Sequence, residues 1–298
     1  MPARNDGHMA ELPADLGAYR SRAAHNGMAH LPEWQGSSIV TQIGVLTRRT
    51  VLQWLTNPHA VVLGLLQPVV ILFLLTGIFS HLSLPAGFPH GVSYFDFVLP
   101  AVLVDNALQT SLVAGAGLID ELRNGIVPRL RSLPILPSSL LVARSLTSLI
   151  RGGFQALIML TLAQVTHGTF SRVGLAGLTV ALGLALLIGW SLGWVFLALS
   201  AWIRRAETMQ NLGFMVLIPL MFSSSAYIPV AALPTVLSVV ARINPLTYAI
   251  NATRDLFLQI PGGNGAILPA ILINLVIGAA GAVTAVRVFR RPLGATPR

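Results

Sequence analysis

The 298 residues contain neither lysine nor cysteine. Without cysteine there are no disulfides, thiolate metal sites or cysteine nucleophiles. Without lysine there is no Walker-type phosphate loop, so the chain cannot hydrolyse ATP by that route. Charge is scarce as well: 10% of the residues are charged, where a soluble domain carries about 25%. What is abundant is apolar. Hydrophobic residues make up 54% and mean hydropathy is +0.74, more than one core can bury, which points to a bilayer as solvent. Net charge is +9, all of it arginine. The arginines sit at the junctions between apolar runs without aromatic interleaving, so they mark membrane edges and no nucleic-acid partner is expected.

Residues 1–37 carry Arg4, Asp6, Glu11, Asp15, Arg20, Arg22 and Glu33 with Pro2, Pro13 and Pro32, and have no apolar h-region. They read as a disordered cytosolic tail rather than a signal peptide. From 38 to 57 the pattern is helical. Ile39, Val40, Ile43, Leu46, Val51, Trp54 and Leu55 share one face, with Thr41, Gln42, Arg48, Arg49 and Gln53 mostly on the other. This predicts an amphipathic helix in the cytosolic interface, ended by Asn57-Pro58.

Residues 58–291 then hold six apolar runs: His59 to Phe79, Tyr94 to Leu118, Leu146 to Val165, Val173 to Ile203, Asn211 to Ser225 and Ala266 to Val286. Between the fifth and sixth, residues 226–262 are apolar but broken by Pro229, Pro234, Asn244-Pro245 and Pro261. Two short helices hinged at Asn244-Pro245, dipping into the outer leaflet, fit that pattern. The resulting topology puts 16 arginines inside and Arg172, Arg242 and Arg254 outside. Both ends, including the 292–298 tail, then face the cytosol. The expected fold is all-α and polytopic: six transmembrane helices, an N-terminal interfacial helix and an extracellular re-entrant segment.

Three stretches could carry chemistry. Gly189-Trp190-Ser191-Leu192-Gly193 fits a nucleophile elbow, but no histidine lies within an apolar span to serve as base; small-residue helix packing explains the glycines better. Asp105, near mid-bilayer, costs about 2.5–3.5 kcal/mol on insertion scales and shares a patch with Asn106 and Gln109. It is either a substrate-path or gating residue or an inter-helix hydrogen bond, and it is the residue a proton-coupled transporter would use. Third, residues 119–137 are too charged to span. They form a short cytosolic helix with Asp120, Glu121 and Arg123 on its wet face and Ile119, Leu122, Ile126 and Leu130 on its apolar one, suited to a groove on a partner.

Through Glu121, Gly125, Leu130 and Pro134 in that stretch, and the Asn244-Pro245-Leu246-Thr247-Tyr248 turn followed by Arg254, residues 38 to 290 resemble the permease subunit of a type-2 ABC exporter. The daunorubicin-resistance permeases and their actinobacterial lipid-export relatives are the nearest in kind. Ile126 stands where that family often has Thr. The resemblance implies a permease with no catalytic residue or cofactor of its own, in the cell inner membrane. Separate ATPase subunits would bind ATP and Mg. Residues 119–137 would be the coupling helix, with Asp120, Glu121, Arg123, Gly125, Leu130 and Arg131 facing the ATPase. A second protomer, identical or related, would complete a pathway lined by the first, second and fifth spans. Candidate path residues are Phe73, Phe97, Asp105, Asn106, Leu108, Gln109, Phe214, Met215 and Phe222. Asn244, Pro245, Tyr248 and Arg254 would form the outer gate. A charge-poor path suits hydrophobic drugs or lipids moving among membrane lipids. A polysaccharide-exporting permease is the alternative within the superfamily, though its sugar paths are often aromatic and only 7% of this chain is.

Overall fold

The computed structural model describes residues 38–80, 88, 91–124, 136–203, 205–258 and 263–290. The N-terminal tail, most of the loop after Phe79, the 125–135 stretch and the 291–298 end lie outside the described residues. Among the described residues the chain is helical and has no strand. In order come α1 (Ile39–Leu55), α2 (Pro58–Phe79), α3 (Tyr94–Arg123), α4 (Pro137–His167), α5 (Thr169–Leu199), α6 (Ala206–Phe222), α7 (Thr235–Ile243), α8 (Pro245–Leu258) and α9 (Ile267–Arg290).

Local chemistry sets the boundaries. Asn57 caps α2 by accepting from the Ala60 amide at 3.2 Å, and Pro58 fills the first turn, where its missing N–H costs nothing. Ser93 caps α3: its Oγ accepts from the Asp96 amide at 3.1 Å and donates to the Asp96 carboxylate at 2.7 Å. Gly168, at φ +62°, closes α4 in the left-handed region. Gly174, at φ +73°, breaks α5 near its start, so the membrane-length part of that helix runs Gly177–Leu199.

Among the described residues five helices are long and apolar enough to cross a bilayer: α2, α3, α4, α5 and α9. The sixth expected span, α6, has 17 residues, at the short limit of the spanning range. Burial separates the helices sharply. In α3, 89% of the apolar window is buried, against 11% in α2 and 22% in α9. α3 is therefore the central post, packed most extensively on α5 and also on α2, α4, α6 and α8. The α3–α5 approach is close because Gly189 and Gly193 face Ala107 and Ser111; Ser111 Oγ donates to the Gly189 carbonyl at 2.8 Å. Gly278 and Gly281 of α9 lie in the same way on Ser191 and Trp194 of α5. The glycines are helix contacts, and Ser191 is buried beneath one of them.

Two expectations need correction. The first residues of the charged stretch, Ile119 to Arg123, belong to α3, which is capped at Asn124; 125–135 lie outside the described residues. And α1 does not divide simply into a wet and an apolar face. Gln42, placed on the polar side from sequence, is buried with Leu46 and Trp54, and its Oε1 accepts from the Leu136 amide at 3.2 Å. Ile39, Val40, Val45, Leu52 and Leu55 remain exposed. A helix packed on protein along one stripe and bare along another mixes the two signals on one wheel. Leu46 joins Leu118, Leu141, Leu197 and Phe289 in a core that gathers the neighbouring ends of α3, α4, α5 and α9.

Two short helices do flank Asn244: α7 ends at Ile243 and α8 begins at Pro245.

Candidate functional site

α2 and α6 each touch the bundle mainly through α3, and between them a cleft opens along that helix. It has two connected parts that share Gln67, Asp105, Gln109 and Phe214. One part, about 300 Å³, is the more polar, lined by Asn106, Thr110, Arg151, Gln155 and Gln210 among apolar neighbours. The other, about 270 Å³, is apolar, lined by Ile71, Leu74, Leu217, Ile218, Met221 and Phe222, with Tyr227 at its edge. Both volumes are of the order of small-molecule sites, at or just under the usual lower bound of about 300 Å³. The polarity follows from helical phase. Asn106, Gln109, Thr110 and Val113 recur at three- and four-residue spacing and so face one way from α3.

The sequence candidates divide on this geometry. Asp105, Asn106, Gln109, Phe214 and Phe222 line the cleft. Four others lie elsewhere. Leu108, rotated about 200° from Asn106, is fully buried in the core. Phe73 turns to Phe95 and His167, with ring centroids 6.0 and 6.3 Å away. Phe97 lies under Arg254, whose guanidinium carbon is 3.6 Å from the ring centre. Met215 points out of the bundle. Asn106 also serves packing, since its Nδ2 donates to the Gly152 carbonyl at 3.2 Å. Asp105 and Gln109, one turn apart, both line the two parts of the cleft. Gln67, Gln155, Gln210, Arg151 and Tyr227 were missed; the available signal was a single polar residue interrupting an apolar helix, as Gln67 does in Leu65-Leu66-Gln67-Pro68.

Beyond the apolar part, the four gate candidates form a knot. Asn244 Nδ2 donates to the Leu220 carbonyl at 2.7 Å, and its Oδ1 accepts from the Leu246 amide at 2.9 Å. Pro245 opens α8. The Tyr248 hydroxyl donates to the Arg242 carbonyl at 2.7 Å. Arg254 is buried and spends its guanidinium on backbone: Nε to Phe97 O at 2.9 Å, Nη2 to Ser225 O at 2.8 Å and Ala226 O at 3.2 Å, with Nη1 on Asn251 Oδ1 at 3.2 Å. One side chain thus ties the start of α3, the turn after α6 and α8 together. It is not a charge in an aqueous loop.

At the other end of α3, Glu121 is not on a wet face. Arg144 of α4 grips it bidentately, Nη2–Oε1 at 2.8 Å and Nε–Oε2 at 3.1 Å, with both side chains about one-tenth exposed. Arg144 Nη2 also donates to the Gly117 carbonyl at 3.2 Å. Of the coupling candidates, Asp120 and Arg123 are exposed; Gly125, Leu130 and Arg131 lie outside the described residues.

Known proteins resemble this chain along most of its length. It is 26% identical over 226 residues to a protein named as a transport permease, ycf38, of Porphyra purpurea, covering 76% of this chain and 77% of that one. It is 25% identical over 191 residues to the daunorubicin resistance ABC transporter permease protein DrrB1 of Streptomyces coeruleorubidus, covering 64% and 66%. The ABC-2 type transporter family model matches residues 41–258, a range running from α1 through the polar cleft to the last residue of the Arg254 knot's helix, and the chain belongs to that family of ABC transporter permeases.

Proposed function

We propose that the chain is the membrane half of an ATP-driven exporter of hydrophobic drugs or lipids. Separate ABC ATPase subunits bind ATP and Mg, and a second permease protomer, identical or related, completes the path. The cleft carries this reading: it lies between α2 and α6, which touch the bundle mainly through α3, with a more polar part and an apolar part in series. Long apolar side chains stand exposed along α2 and α6, such as Leu63, Leu66 and Leu74 on one and Val216 and Ile218 on the other, as helices do that face lipid or a second copy. The daunorubicin-resistance relative makes a drug cargo the first to assay.

The orientation follows from arginine. With 16 inside and at most three outside, both ends face the cytosol of the inner membrane. Arg254 is buried, which takes one of the three out of the outer count and sharpens the bias. An even number of spans is then required. α6 supplies the sixth, its 17 residues covering about 26 Å and the Ser223–Ser225 turn the remainder. The Arg123 end of α3, with α1 beside it, faces the ATPase, and the Arg254 knot caps the outer end.

Detergent extraction from the native membrane, followed by pull-down and reconstitution, tests this reading. An ATPase chain co-purifies, and export from vesicles requires ATP and stops when that ATPase's phosphate-loop lysine is changed. Cargo movement by the purified chain alone, or movement that survives ATP depletion and stops with an uncoupler, refutes it.

A further inference from the structure

The polar part of the cleft holds two charges of opposite sign that do not pair with each other. Among the described residues the ion pair is Glu121–Arg144; Asp105 and Arg151 both line the cleft without one. Asp105 is buried, with Gln109 one turn along its own helix in the same lining. Arg151 stacks over Trp54, its guanidinium carbon 5.2 Å from the ring, while its Nε is buried without a hydrogen-bond partner. Gln155, one turn along α4 and also buried, leaves its Oε1 unpartnered in the same lining. Buried donors and acceptors without partners are costly. Here they surround a space large enough for a ligand group.

A ligand of one sign satisfies half of this site and is opposed by the other half across about 300 Å³ of poorly screened space. A head group carrying both signs satisfies both. The two charges are also ordered along the cleft. Asp105 borders the polar and the apolar parts alike, whereas Arg151 borders the polar part alone. A ligand whose chain fills the apolar part beside Leu74, Ile218 and Phe222 meets Asp105 first and Arg151 beyond it.

We propose that this cleft selects zwitterionic amphiphiles in which the cationic group lies next to the apolar tail and the anionic group lies outermost. The ammonium meets the Asp105 carboxylate. The terminal acid meets the Arg151 guanidinium with Gln155 beside it. The tail lies along α2 and α6. This deepens the export reading by naming the polar chemistry of its cargo, and it rests on that reading.

Four probes with one dodecyl chain separate the possibilities: a sulfobetaine (tail, ammonium, sulfonate), a phosphocholine (tail, phosphate, ammonium), a sulfate and a trimethylammonium. Each is titrated, below its micelle concentration, into the full-length protein in a maltoside detergent, and retained ligand is read by native mass spectrometry. The sulfobetaine is expected to bind at least about tenfold tighter than the others. Asp105→Asn should shift the preference towards the sulfate and Arg151→Gln towards the trimethylammonium. A preference for phosphocholine, or equal binding of all four, overturns the proposal, and that comparison uses the unaltered chain and so does not depend on the variants folding. Binding is read without the ATPase, so its failure leaves the ATP-driven reading standing. Absence of any co-purifying ATPase, with ordered head-group binding intact, sinks that reading and not this one.

Discussion

Replacing Glu121 by alanine should damage this protein more than a change at a partner-facing surface would. The carboxylate is about one-tenth exposed and bidentate to Arg144. Removing it strands a guanidinium that is itself about one-tenth exposed, with the Gly117 carbonyl as remaining acceptor. Breaking a buried pair from one side costs about 3–5 kcal/mol. The residual exposure and the Gly117 bond argue for the lower end. The exchange Glu121→Arg with Arg144→Glu keeps the pair and loses the Gly117 bond, worth about 1 kcal/mol. Replacement of both by leucine and methionine should be closer to neutral than either single change. Thermal unfolding of the parent, Glu121→Arg, Arg144→Glu and the exchange in one detergent supplies the cycle, with Glu121→Ala, the leucine–methionine variant and ATPase stimulation measured beside it. A single variant within about 1 kcal/mol of the parent, or an exchange no better than the sum of the single changes, refutes the account of Glu121 as an internal anchor. If the exchange restores stability but not ATPase stimulation, Glu121 also contacts the partner.

Gly189→Val should separate α3 from α5, because a Cβ there lies 2.8 Å from the Ala107 backbone; a loss of about 1–3 kcal/mol is expected from overpacking. Gly183→Ala, on the same helix with nothing within 4 Å, should be neutral or gain up to about 1 kcal/mol, both read as shifts in thermal midpoint. Arg254→Met leaves the Phe97, Ser225 and Ala226 carbonyls without this donor; at about 1–3 kcal/mol per buried group, hydrogen exchange in residues 223–234 should rise steeply, and unchanged protection contradicts the knot. Asp105→Asn should leave transport insensitive to an uncoupler; a parent protein whose export collapses with the proton gradient while ATP is held constant would make Asp105 a proton carrier instead.

The helices were legible in the sequence because each apolar run is long, and the junctions because arginine, proline and asparagine mark them. Helical phase was the harder quantity. Phe214 lines the cleft and Met215 beside it does not, a difference of one 100° step that composition does not report. Phe73 and Phe97 drew attention as aromatic rings within spans, yet one packs on α3 and α4 and the other under Arg254. Arg254 itself counts as an outer charge in any tally of arginines, because a tally carries no information on burial. Its setting in Ala252-Thr253-Arg254-Asp255-Leu256-Phe257 was the available hint, a lone cation inside an apolar helix, which requires specific acceptors.

The continuity of α3 from the cleft to Arg123 has a mechanical consequence. Glu121 and Asp105 are sixteen residues apart on one uninterrupted helix, about 24 Å. A displacement applied at the Arg123 end therefore reaches the cleft wall without passing through a loop. It does not stay confined to α3. Arg144 transmits it to α4, which carries Arg151 and Gln155 of the same cleft, and the Gly189 contact transmits it to α5. α2 and α6, packed mainly on α3, are held far less firmly. A push on the ATPase side would then move α3, α4 and α5 as one body against α2 and α6. The cleft lies along that boundary, so the opposed charges of Asp105 and Arg151 travel together and the apolar walls opposite them are what change distance.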